Sequence, residues 1–202
     1  MIHRLIQLCL LTLVAFPALG SSSTAFGKRP HFLLRAVDAV TSSLPTAGPN
    51  NLSNCVLVLP DGRFYLSLRR QEIMDGTGTV KSLEGSLDAK ALQILHALLN
   101  QQTIRNAPKL NLPNTPFVAD EFQFFEVQIE RESTMQRAGY FKWQGKGPDN
   151  PDSTKKQWQE SEVALQPVAE WFRALKTNKE PLKRPASKSH ALQCDLDDGS
   201  PR

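Results

Sequence analysis

The sequence predicts an α+β domain: an antiparallel or mixed sheet built from two β-hairpins, with helices packed on one face. Three observations predict it. Residues 64–69 and 125–130 each alternate apolar and polar side chains with period two, the mark of a strand with one buried face. Each of these strands has a partner run across a turn-rich segment, which makes a hairpin. Each hairpin is followed by an apolar stripe at helical spacing, one running from Leu87 to Leu99 and one from Trp158 to Leu175.

The first hairpin pairs Val56-Leu57-Val58-Leu59 with Phe64, Leu66 and Leu68 across Pro60-Asp61-Gly62-Arg63. In that turn proline presets φ and glycine supplies the positive φ at which the chain reverses. Residues 79–84 read as a third strand. Ser86 is placed as an N-cap, with Asp88 in the first turn of the helix that follows and Asn100 as its stop. Three prolines between 106 and 120 give an extended connector. The second hairpin joins residues 122–130 to residues 135–143, with Phe141 and Trp143 on one face and Tyr140 and Lys142 on the other. The last helix starts at Ser153 or Thr154. Pro167 inside it removes a backbone donor, so a kink near Val163 and Ala164, or two helices, is expected.

Four regions organise the chain. Residues 1–20 have the layout of a secretory signal peptide: Arg4, an apolar run to Phe16, then Pro17-Ala18-Leu19-Gly20 before Ser21. The apolar run is shorter than the roughly 20 residues a spanning helix needs, so cleavage and no membrane span afterwards are expected. Residues 21–54 read as an irregular approach. Within it residues 32–40 fit a short helix and, less well, a strand, and Asn51-Leu52-Ser53 matches a glycosylation triplet. Residues 55–178 form the single α+β domain, and residues 179–202 a polar, mobile tail. The expected localisation is secreted or periplasmic.

Charge and cysteine use fit export. The chain has 24 Lys and Arg against 20 Asp and Glu, a formal net charge of +4. Residues 1–20 hold one arginine and no acid, which leaves +3 with both signs interspersed, no nucleic-acid footprint. Cys55 and Cys194 remain after the leader and are the candidate disulfide of an oxidising compartment. Such a bridge closes a long loop and is worth about 4 kcal/mol in the chain-entropy account.

No motif assigns catalytic, cofactor-binding or metal-ligating residues. There is no Gly-x-Ser-x-Gly elbow, no paired-histidine or Cys-x-x-Cys spacing and no calcium loop. Gly76-Thr77-Gly78 lacks the lysine and setting of a nucleotide loop, and His96 reads as a helix-boundary histidine. Asp195, Asp197 and Asp198 read as a solvated acidic end. The candidate binding face is aromatic and basic: Tyr65 and Arg69 from the first hairpin with Tyr140, Lys142 and Trp143 from the second. The expected role is a non-enzymatic binding or accessory domain for a protein or glycan partner. Two alternatives are a motif-poor hydrolase acting on carbohydrate or peptide through Glu126, Glu130 or Asp61, and a structural component of an envelope assembly.

Overall fold

The computed structural model describes residues 31–42, 51–71, 78–113, 121–132, 134–145, 147–177 and 184–185. Residues 1–20, read as a signal peptide, Gly76-Thr77, Cys194 and the acidic cluster after it lie outside them. The strands are β1 (Leu34–Ser42), β2 (Asn51–Val58), β3 (Arg63–Gln71), β4 (Gly78–Ser86), β5 (Glu121–Arg131), β6 (Thr134–Gln144) and a short β7 (Arg184–Pro185). The helices are α1 (Ala89–Leu99), α2 (Gln102–Arg105) and α3 (Asp152–Thr177). One sheet runs in the order β6-β5-β1-β2-β3-β4-β7, with every neighbouring pair antiparallel. The fold is α+β, with the sheet antiparallel throughout. No described helix is long and apolar enough to cross a membrane.

Both hairpins form. The first turn is tight: Gly62 takes φ +86°, its N–H donates to Leu59 O at 3.0 Å, and Asp61 accepts from Arg63 N at 3.0 Å. A side chain at Gly62 would press on Leu87 O at 3.2 Å, because the turn abuts the entry to α1. In the second hairpin Gly139 is required by contact rather than by φ. A Cβ there would lie 2.5 Å from Phe125 O.

Residues 34–42 correct the sequence reading. They form not the short helix but the strand, the second of the two readings: β1, which joins the two halves of the sheet by pairing with both β2 and β5. Leu34, Arg35 and Ala36 are buried in succession, so the clean alternation that marks a one-sided strand is lost. Asn51, of the glycosylation triplet, opens β2 half-buried in register with Thr41 and Gln71, instead of standing in a surface loop. Arg184 and Pro185, read as tail, add β7 to the free edge of β4.

The helix layer covers one face. Leu34, Ala36, Val56, Val58, Phe64 and Leu66 meet Leu95 and Leu99 of α1 and Leu165, Val168 and Phe172 of α3 in one cluster. The cap of α1 is Asp88, not Ser86: Asp88 Oδ1 accepts from Ala91 N at 2.7 Å. At the other end Arg131 of β5 reaches Leu99 O at 2.6 Å and Asn100 Oδ1 at 3.1 Å, and Gln136 of β6 reaches Ile104 O at 2.6 Å. The second hairpin thus satisfies terminal carbonyls of both short helices.

α3 is one continuous helix with Pro167 inside it, which corrects the alternative of two helices. It starts at Asp152, so Ser153 and Thr154 sit in its first turn. The carbonyl that loses its donor to Pro167 is that of Val163, four residues back. Val163 itself is 75 % exposed.

The opposite face of the sheet is buried too, which period-two alternation did not predict. Phe32, Cys55, Leu57 and Tyr65 form a second cluster flanked by Val37 and Leu59, and no helix residue belongs to it.

Candidate binding site

The five residues of the predicted aromatic and basic face do not form one surface. Three strands, β5, β1 and β2, separate β3, which carries Tyr65 and Arg69, from β6. Tyr140 and Lys142 alternate with Trp143 and turn to the helix layer. Tyr140 is buried in the main core, with its ring 5.5 Å from that of Phe125, and Lys142 pairs with Glu162 of α3 at 2.6 Å. Trp143 packs edge-on against Trp158 at 5.9 Å. Tyr65 lies on the other side, in the second cluster. Alternation within a strand carries no information on strand order, which decides whether two faces join.

The three carboxylates weighed as acids or bases hold structural partners. Glu126 is 1 % exposed and is clamped by Arg137, at 2.7 and 3.0 Å, and by Gln128 at 2.7 Å. Glu130 accepts from Phe32 N at 2.9 Å and pairs with His31 at 2.7 Å, fixing the entry to β1. Asp61 is exposed and pairs with Arg63 at 2.7 Å, which holds its carboxyl below the usual carboxylate range. Among the described residues, no three of the His, Cys, Asp and Glu side chains gather as metal ligands would. His96 is exposed in the last turn of α1.

Where the helix layer ends, the core turns polar. Asp38 of β1 accepts from Lys176 Nζ at 3.1 Å and from Gln123 Nε2 at 3.0 Å, while Lys176 lies 5.1 Å from the centre of the Phe172 ring. Beside them, burial pushes the Tyr140 phenol up to about 12, with the nearby Asp38 and Glu162 charges adding and Arg173 opposing. The fold therefore favours the neutral phenol. Its contribution is fully present below the ordinary pKa near 10 and is lost as pH rises through about 12. Wild-type protein is expected to lose thermal stability more steeply than Tyr140→Phe between those values. Melting followed by circular dichroism checks this. A phenolate absorbance difference between the two proteins with a midpoint near 10 would contradict it.

One concave feature among the described residues lies between the α2 end and α3, a groove of about 690 Å³. Ala107 and Pro108 form one wall, and Val163, Ala164 and Pro167 the other. Lys156 and Glu160, 3.9 Å apart, stand at one rim, and Thr103 and Gln159 add neutral polar groups. Apolar walls with a few polar groups on the margin are the usual make-up of a ligand cleft. Val163 and Pro167 both line the groove, and Pro167 has no N–H to donate within the helix.

No protein-family model matches the chain, and none of the curated proteins matches it. The site therefore rests on its own geometry. Sequence reasoning reached Pro167 and its missing donor but treated the consequence as a matter of helix shape.

Proposed function

We propose that the chain is an exported, non-catalytic binding or accessory domain, secreted or periplasmic, whose partner is a protein segment docking in the α2–α3 groove. The reading includes removal of residues 1–20 on export and a Cys55–Cys194 disulfide. The observation that supports it is the apolar-walled groove between the α2 end and α3. An extended segment with an apolar side chain fills the cleft. The groove lining has no aromatic residue, and glycan recognition commonly relies on aromatic platforms, so a peptide is favoured over a sugar.

Screening an array of short extended peptides against the purified mature protein tests this. Peptides that bind wild type are expected to bind Val163→Arg at least about tenfold more weakly, a change of about 1.4 kcal/mol. The melting temperature should stay unchanged because the side chain is exposed. Equal binding by both proteins would remove the groove from the account. Hydrolytic turnover that survives repurification would overturn the non-catalytic reading.

A further inference from the structure

The centre of the sheet face opposite the helices is buried, and no residue of a described helix belongs to the cluster there. Pairing sets its side chains in rows across the strands. One row runs Gly139, Glu126, Val37, Cys55, Ser67, Ser82. The row on one side of it contains Arg35, Leu57 and Tyr65, and the row on the other side contains Ala39, Ser53 and Arg69. Cys55 is 4 % exposed, Tyr65 is 6 % exposed, and Ser67 and Glu126 are also buried. Cys55, Arg35, Tyr65 and Arg69 are all engaged. A sheet face reaches such burial only under a second layer.

We propose that residues 186–202 of this same chain are that layer, lying across β4, β3 and β2 with Cys194 joined to Cys55. The reach fits. The described chain stops at Pro185, paired with Leu83 at the β4 edge. From there to β2 is three strand spacings, about 14 Å. The nine steps from Pro185 to Cys194 span up to about 30 Å when extended. The charge fits as well. Cys55 is flanked diagonally by Arg35 and Arg69, and Cys194 is followed by Asp195, Asp197 and Asp198. Docking the tail brings carboxylates to a buried arginine, which needs a partner to be held out of water. Ala191 and Leu192 give the strap apolar side chains for Leu57 and Tyr65.

The bond forms by thiol–disulfide exchange with a protein disulfide of the export compartment. One thiolate attacks that disulfide to give a mixed disulfide, and the second thiolate displaces it. Two thiols on this chain are oxidised, and their two protons and two electrons pass to the oxidant, which leaves as its dithiol. This bond rests on the exported state proposed above; the cover itself does not.

Two readouts separate these. Hydroxyl-radical footprinting of the full mature chain should leave Tyr65 and Leu57 protected. Labelling of both is expected to rise severalfold in a chain ending at Pro185 and in the full-length Asp195→Lys/Asp197→Lys/Asp198→Lys variant. The charge-reversed protein keeps the test alive if the shortened chain does not fold. Unchanged labelling in these variants overturns the cover. Peptide mapping without reductant should find Cys55 linked to Cys194. Two free thiols in protein recovered from its native compartment overturn the bond and count against the oxidised, exported reading. In that case footprinting of Cys55→Ser/Cys194→Ser still decides the cover.

Discussion

Trp158→Ala is expected to lower the unfolding free energy by about 4 kcal/mol, within the range for removing a large buried aromatic. Trp158 is 2 % exposed and serves three parts of the molecule at once. Its ring meets Phe141 at 5.2 Å and Trp143 at 5.9 Å, closing the β6 end of the core. Its indole N–H donates to Asn111 O at 2.8 Å, pinning the connector after α2 to the start of α3. Asn111 Nδ2 adds a bond to Gln157 at 2.6 Å. The substitution therefore leaves a cavity, removes two aromatic contacts and frees a backbone carbonyl. Urea unfolding with an unchanged m-value is the measurement. A loss below about 1.5 kcal/mol would mean that the site collapses around the smaller side chain.

The second large effect lies on the other face. Glu126→Ala should cost about 3 kcal/mol, because it leaves the Arg137 guanidinium without the carboxylate that holds it. Restoring much of that loss with Glu126→Leu/Arg137→Met would show that the penalty comes from the stranded charge rather than from the pair as such. The same residue discriminates between functions. If the hydrolase alternative held, Glu126→Gln would abolish a turnover that wild type displays while leaving stability nearly intact. A clear loss of stability with no activity in either protein is expected.

Much of the fold was legible in the residues. Alternation at Phe64, Leu66 and Leu68 and at Phe125, Val127 and Ile129 located both hairpins, and helical spacing located α1 and α3. The reading failed where burial on both sides erases a pattern. In β1, Arg35 and Asp38 sit among buried apolar residues, a mixture no strand template matches. Helix starts were legible to within two residues, since Ser86 and Asp88 are both good capping types and only tertiary placement of the turn at Gly62 selects the second. The binding surface was the least legible. It depends on strand order and on how the connector lies against α3, contacts between residues some fifty positions apart that leave no local trace.

The position of β1 has a kinetic consequence. It is the first strand in the chain and a middle strand in the sheet. β2, β3 and β4 can each pair with the strand before them as soon as they exist, with Leu34 meeting Val58 and Phe64 meeting Gly85. The remaining side of β1 must wait for β5, where Leu34 meets Ile129. That closure spans the α1–α2 segment and its connector, and its entropy is lost before the reward of the second hairpin is gained. Folding is thus two-staged in its demands: a local meander first, then a long-range docking that completes the domain. Until β5 arrives, β1 presents a bare strand edge, open to pairing with another chain.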